Sequence, residues 1–333
     1  GQDRTGGCRG RVSPIEVESP SVSGVHPVPS PRDPVLGGLL QRCTFELGDP
    51  AERTDLDVAV SGGPDSTALL ALSLATGARV TAHHVDHGLR SASVSEAGFV
   101  QRLCGRWGAG FAAHRVVVPD GPDLERRCRE ARLGVLPSGC LKGHTADDQA
   151  ETVLMRLMRG TGPAGLSAMD PATHPLLRLR RSETVSVCDH LGVRPVSDPM
   201  NDSGRFTRNR VRSELLPLMT DVAGRDVVPL LARTAELAAE NTEALAGLVE
   251  TVDPTDTRAV CSVPAPVAAE AMRLFWRRET GGLLPPDRRA VERMLAVARG
   301  ECRSAQVAAG WTLRRRAGSM WLEGPVPPRE PGR

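Results

Sequence analysis

The sequence predicts an α/β fold, a parallel sheet with helices on both faces, followed by a smaller, mainly helical domain. Three observations carry that expectation. Between about residues 55 and 160, short apolar runs alternate with helix-length stretches. The first of these runs, Leu56-Asp57-Val58-Ala59-Val60, passes through the turn Ser61-Gly62-Gly63-Pro64-Asp65-Ser66 into a second, Thr67-Ala68-Leu69-Leu70-Ala71-Leu72, in strand–turn–helix order. Ala146 to Arg159 then sets apolar residues at 150, 153, 154, 157 and 158, the spacing of one buried helix face. Alternating β and α units imply parallel strands, and ligands then bind beyond the strands' carboxyl ends.

Taken in order, residues 1–35 are rich in Pro, Ser and Gly and read as a disordered extension. After the first strand, Pro64 suits the first position of a helix. Arg79 to Val85 reads as the second strand, Ser95 to Trp107 as a helix and Phe111 to Val118 as a third strand. Asp123 to Leu136 reads as helical, Gly139 to Lys142 as a very short buried strand, and Ala146 to Arg159 as the strong helix. Pro175 to Glu183 looks like a short strand leading into a helix capped by Ser182. A helical region spans about 209 to 250, and the Pro- and Thr-rich stretch Thr251 to Pro266 reads as a linker. Residues 267–325 should form a small helical domain with strand-like ends at Gly310–Arg314 and Met320–Leu322.

Composition narrows the class. With 333 residues the chain suggests two domains, and 40% apolar residues suffice for real cores. Aromatics are scarce, so Leu, Val and Ala must fill those cores. A net charge of +2 does not announce a nucleic-acid binder, and any RNA site must be a local patch. The eight cysteines lie far apart without CxxC or zinc-like spacing, which fits free thiols and a cytoplasmic setting. No stretch reaches the roughly 18 apolar residues of a membrane span.

The turn at 61–66 builds a phosphate site from backbone. Glycines at 62 and 63 let the chain approach an anion and adopt positive φ. The helix beginning at Pro64 aims unpaired N–H groups and its positive dipole end at the same spot. Ser61 and Ser66 add hydroxyl donors, and Asp65 suits capping or holding Mg²⁺ against phosphate charge. No lysine stands in the loop, so it is not the type that grips a phosphate through an ammonium. Two further strand ends, His87-Gly88-Leu89-Arg90 and His144-Thr145, should converge on this edge.

Three more strings sharpen the reading: His84-Val85-Asp86-His87-Gly88-Leu89-Arg90; Gly143-His144-Thr145-Ala146-Asp147-Asp148-Gln149-Ala150-Glu151-Thr152 with Arg159-Gly160-Thr161-Gly162 behind it; and Asp198-Pro199-Met200 followed by Arg208-Asn209-Arg210-Val211-Arg212. In this order, and with Ser-Gly-Gly-Pro-Asp-Ser, they resemble the tRNA(Ile)-lysidine synthases, N-type ATP pyrophosphatases with a PP-loop and an adenine nucleotide alpha hydrolase-like fold. The resemblance covers about 55 to 220 strongly and the rest weakly. It implies a PP-loop ATP-binding catalytic domain at 50–220 and a helical C-terminal tRNA-binding region at 221–325.

The activity implied is ligation of free lysine to C2 of the wobble cytidine in tRNA(Ile) with a CAU anticodon. ATP adenylates the cytidine O2 and pyrophosphate leaves; the lysine ε-amine then displaces AMP. ATP and Mg²⁺ are the implied cofactors. Ser61, Gly62, Gly63, Pro64, Asp65 and Ser66 would bind the nucleotide, with Asp65 also the metal ligand. Asp148 would hold the ammonium and take or relay its proton, His144 would position nucleotide or lysine, and Arg132 would lie near ATP. Arg205, Arg208, Arg210 and Arg212, with no acid between 203 and 213, would meet RNA, and Arg314-Arg315-Arg316 offers a second patch.

Each residue also has a plainer reading. Asp147 and Asp148 suit capping and dipole compensation at a helix start. His144 suits a structural hydrogen bond, His84 and His87 packing or adenosine contacts, Glu151 a supporting place one turn beyond Asp148, and Arg132 a solvated helix face. Arg159-Gly160-Thr161-Gly162 suits an ordinary helix end. The chain departs from the family pattern in three places: eleven residues separate Arg132 from His144, Leu133 stands where an aromatic is common, and His174 where an arginine is usual. Competing readings are a tRNA thiolase with the same loop, or a degenerate RNA-binding homologue without catalysis.

Overall fold

The computed structural model describes residues 28–47, 54–86, 93–116, 127, 131, 134–196, 207–284 and 286–325. The described residues form two compact units, one up to Leu237 and one from Ala238 onward.

The first unit is built on four parallel strands in the order β3-β2-β1-β4: β1 Asp55–Ala59, β2 Arg79–Asp86, β3 Gly110–Arg115 and β4 Leu141–Lys142. Leu56 pairs with Val80, Ala82 with Phe111 and Val58 with Leu141. Before the sheet, α1 (Pro34–Leu40) is capped by Asp33, whose carboxylate accepts the N–H groups of Val35 and Leu36. The expectation of a disordered extension to residue 35 therefore overlaps the start of an ordered helix; residues 1–27 lie outside the described residues.

Helix α2 (Pro64–Ala75) is apolar all round because it is covered all round. Leu69, Leu70 and Leu72 are wholly buried in a core with Val58 and Val60 of β1, Val80 and Ala82 of β2, Leu36 of α1, and Val100, Leu103 and Trp107 of α3 (Ser93–Trp107). Burying each such leucine contributes about 1.5–3 kcal/mol, so this helix is the keel of the unit.

Helix α4 (Ala146–Met158) follows β4, and a short turn of helix, α5 (Pro163–Leu166), succeeds it. Pro175–Leu179, read above as a strand, is a run of turns with Leu176, Leu177 and Leu179 buried. Its apolar residues fill the core from a loop, a role that alternation alone does not separate from a strand. Helix α6 (Arg181–His190) starts one residue before Ser182, and the Glu183 carboxylate accepts the N–H of Arg180 at 2.8 Å. His190 at its end meets Asp33 at 2.8 Å, and Arg42 bonds Glu183, so the segment ahead of the sheet is pinned to α6.

The helical region from 207 is interrupted. After α7 (Thr207–Arg210), residues Val211–Leu215 form a π-helical turn in which the Leu216 N–H bonds the Val211 carbonyl, and α8 (Leu216–Ala223) follows. Pro217 is the physical cause: it lacks the N–H that an α-helix would return to residue 213. Val211, Leu216, Val227 and Val228 close a second cluster against Ala146, Ala150 and Leu154 of α4.

Helix α9 (Val228–Glu250) carries the chain into the second unit. There α10 (Thr257–Ser262), α11 (Ala265–Glu279) and α12 (Arg288–Arg299) pack on an antiparallel sheet, β5 (Ser304–Gln306), β6 (Thr312–Arg316) and β7 (Ser319–Glu323). The stretch read as a linker holds α10 and a bridge from Asp256 to Ser319. Trp276, Met272, Met294 and Leu313 are fully buried at its centre.

Candidate active site

The turn between β1 and α2 joins strand to helix as expected, with one difference in its backbone. Gly62 takes φ +96°, whereas Gly63 lies at φ −72°, ψ 168° and caps α2 without any side chain. A Cβ on Gly62 would touch Phe99 and Val196 at 3.4 Å, and a Cβ on Gly63 would meet only the Ser61 hydroxyl at 3.7 Å. Glycine at 62 thus serves the backbone, and glycine at 63 leaves the mouth of the turn open. The Ser66 hydroxyl donates to the Gly63 carbonyl at 3.0 Å and stands 3.1 Å from the Ser61 hydroxyl, which stiffens the loop from inside.

The end of β4 presses on this turn. A Cβ on Gly143 would stand 2.6 Å from the Asp65 carbonyl oxygen, so only glycine lets the two chains meet. Beyond it α4 begins with its donors already used: Asp148 Oδ2 accepts the Thr145 N–H at 2.9 Å and the Thr145 hydroxyl at 3.0 Å. Asp147 faces away, accepting the Arg181 N–H at 2.8 Å and pairing with Arg180 at 3.0 Å, which makes it a tie to α6.

Between the two helix starts lies an ionic cluster on buried ground. Asp65 from α2, with Asp148 and Glu151 from α4, meets Arg181 from α6 and Arg208 and Arg212 from the α7 region. Arg208 reaches Glu151 Oε2 at 2.6 Å and Asp148 Oδ1 at 2.9 Å; Arg212 reaches Glu151 Oε1 at 3.2 Å. Thr184 donates its hydroxyl to Asp65 Oδ1.

Burial works against every charge here, and the partners decide the outcome. For Asp148 the guanidiniums of Arg181 and Arg208, with His144, outweigh burial and hold its carboxyl below the ordinary range. For Asp65 and Glu151 burial prevails and their values rise, despite the Thr184 hydroxyl and Arg181 at one and Arg208 at the other. Burial also pushes the Cys188 thiol, beside the loop, up to about 12, which leaves it inert.

The site residues read from the sequence divide accordingly. Ser61, Gly62, Gly63, Pro64, Asp65 and Ser66 form one turn, and Asp148 faces it with Glu151. The His144 ring lies 4.9 Å from that of His174 at the edge of the cluster. Arg208 and Arg212 face inward onto carboxylates rather than forming an open basic strip, while Arg210 is exposed and pairs with Glu214 at 2.9 Å. Arg132, Arg205 and His87-Gly88-Leu89-Arg90 lie outside the described residues. His84 bonds the Val60 carbonyl at 2.9 Å, a packing role. The Arg159-Gly160-Thr161-Gly162 turn leads into a loop moored by Gln149, which bonds the main chain of Ser167 and Met169.

Sequence reasoning missed Arg181 and Thr184. The only signal was a polar pair opening a helix after the buried run Leu176–Leu179, and nothing local ties it to Asp65, more than a hundred residues earlier.

Among the described residues no three acidic, histidine or cysteine side chains gather as a protein-built metal site. Mg²⁺ asks for less, one or two carboxylates beside substrate phosphates. Asp65 fits that role, since its Oδ2 meets Arg181 only at 3.4 Å and keeps acceptor capacity for a cation.

A parallel sheet with an open glycine turn before a buried helix, facing a carboxylate cluster, defines a PP-loop enzyme that uses ATP. The PP-loop domain matches residues 40–219. Proteins named tRNA(Ile)-lysidine synthase resemble the chain at length. That of Nocardia farcinica is 38% identical over 271 residues, 76% of this chain and 85% of its own. That of Rhodococcus erythropolis is 37% identical over 81% of this chain and 89% of its own. That of Cutibacterium acnes is 42% identical over 57% of this chain and 66% of its own. The chain belongs to the tRNA(Ile)-lysidine synthase family. Among the described residues no helix is long and apolar enough to cross a membrane.

Proposed function

We propose that the protein uses ATP to join the ε-amine of free lysine to C2 of the wobble cytidine in an isoleucine tRNA with a CAU anticodon, through an adenylated cytidine. The single observation that carries this reading is the pairing of an uncapped glycine turn with a buried carboxylate cluster across neighbouring parallel strands. The turn suits a triphosphate and the carboxylates an ammonium.

In the first step the cytidine O2 attacks the α-phosphorus and pyrophosphate departs. The N–H groups at the start of α2 and the hydroxyl of Ser61 would receive the charge that develops on the leaving group, with Ser66 holding the turn in shape. Mg²⁺, held by Asp65 when bound, would screen the phosphates. In the second step the amine must lose a proton from a group whose free pKa is about 10.4. Asp148, whose carboxyl neighbouring guanidiniums hold below the ordinary range, would orient the ammonium and relay that proton. Glu151 steadies the arginines beside it, and His144 with His174 lines the approach.

Arg210 and the region 221–325 are proposed to meet the tRNA, including the basic run Arg314-Arg315-Arg316 on β6. Arg205 and Arg132 keep the roles that the family resemblance implies. A tRNA substrate and free thiols at Cys43, Cys104, Cys140, Cys188, Cys261 and Cys302 suit a cytoplasmic enzyme.

The test is incubation with ATP, Mg²⁺, labelled lysine and isoleucine tRNA bearing CAU. Lysine should enter the tRNA one-for-one with AMP release. ATP consumption without lysine in the tRNA would overturn the proposal.

A further inference from the structure

Asp148 is saturated. Its Oδ2 takes the N–H and the hydroxyl of Thr145, and its Oδ1 takes Arg181 Nη2 at 2.8 Å and Arg208 Nη2 at 2.9 Å. A carboxylate offers about four acceptor positions, so an arriving ammonium must displace a donor.

The four donors are not equally held. The Thr145 N–H caps α4 from the main chain, and its hydroxyl shares the same oxygen. Arg208 is fastened a second time by Glu151 at 2.6 Å. Arg181 has no comparable second hold: its other contacts are 3.4 Å to Asp65 and 3.6 Å to Glu151. Its main chain is fixed by Asp147, so only the side chain is free to turn. Its Nε already lies beside Asp65, in the first turn of the helix that the phosphate turn opens.

We propose that Arg181 is a positioning residue that orders substrate entry: without nucleotide it fills the last acceptor position on Asp148, and nucleotide phosphates at residues 61–66 draw it off. Lysine then binds well only after the nucleotide. The same turn frees Asp65 for a cation. One guanidinium thus couples the phosphate turn to Asp148, and by linkage lysine must tighten nucleotide binding by the same factor. The inference rests on the reading that Asp148 receives the ammonium.

The experiment is calorimetric titration of lysine into the full-length protein, with and without α,β-methylene ATP and Mg²⁺. For the wild type, the nucleotide should tighten lysine binding on the order of tenfold. Arg181→Met should bind lysine without nucleotide about as tightly as the wild type does with it, and gain nothing further. Arg181→Lys keeps a cation without the fork and should retain part of the coupling. An Arg181→Met protein with wild-type coupling, or with weaker lysine binding in both states, overturns the proposal. If that variant does not fold, Arg181→Lys decides alone: undiminished coupling refutes the latch and reduced coupling supports it. A wild type that incorporates lysine into tRNA yet shows no coupling removes the latch but leaves the proposed reaction standing; a wild type that incorporates none removes the reaction itself.

Discussion

Gly143→Ala is the sharpest probe of how the phosphate turn is held. The added methyl would stand 2.6 Å from the Asp65 carbonyl oxygen, 2.8 Å from its carbon and 3.0 Å from Ser66 Cα. All three are main-chain atoms, so no rotamer relieves the clash. Ordinary contact begins near 3.4 Å, so the end of β4 and the first turn of α2 must part by about 0.8 Å. Overpacking of this kind costs about 1–3 kcal/mol. For a unit this size that lowers Tm by roughly 2–12 °C. The same shift moves Asp65 and the turn relative to Asp148, and a misplacement of about 1 Å costs on the order of 100-fold in rate. Gly63→Ala is the control. Its backbone accepts alanine, and the methyl meets only Ser61 Oγ at 3.7 Å. Stability should change by no more than about 0.5 kcal/mol, yet the methyl stands at the mouth of the turn and should raise the KM for ATP on the order of tenfold. The assays are thermal melting and tRNA-dependent exchange of labelled pyrophosphate into ATP. Wild-type melting and exchange in Gly143→Ala would refute the claim that close approach fixes the turn.

Other predictions address the charges. Asp148→Asn should lower lysine transfer by about 10²–10⁴-fold while pyrophosphate exchange continues; equal loss of both would place Asp148 in the first step instead. Stability should follow pH with opposite signs at different residues. Asp65 and Glu151, whose carboxyls are raised, take up protons in the fold before the unfolded chain does, so they lend stability as pH falls from neutral toward their unfolded values near 4. Asp148, whose carboxyl is lowered, lends stability above about pH 3.9 that is lost only as pH falls toward its folded value. Urea midpoints of Glu151→Gln should therefore differ from wild type in slope above about pH 4.3, and those of Asp148→Asn only below about pH 3.9; the reverse order would contradict these assignments. Arg210→Ala should weaken tRNA binding and reduce the salt slope by about 1, read from binding at several salt concentrations, with Arg79→Ala, at the opposite end of the strands, unchanged as a comparison.

How much the sequence discloses depends on the range of the interaction. The Ser61–Ser66 turn and the Asp147–Glu151 helix start are local devices, written in consecutive residues, and they fold as read. The inward turn of Arg208 and Arg212 was hidden because a run of arginines without nearby acids looks solvated, while their partner Glu151 lies more than fifty residues earlier. Arg181 was hidden for the same reason. The buried turns at Pro175–Leu179 imitate a strand because apolar spacing reports burial rather than hydrogen bonding. Gly143 was quoted in a motif, but its reason, the Asp65 carbonyl, exists only once β1 and β4 are side by side.

The two helix starts also differ in the sign of charge they present. At α2 a glycine holds the place where serine or aspartate commonly stands, so the first amides remain unclaimed and attract anions. At α4 threonine and aspartate satisfy their own amides, leaving negative charge that attracts cations. The opposite polarity of these two neighbouring helix starts is thereby written into two capping choices.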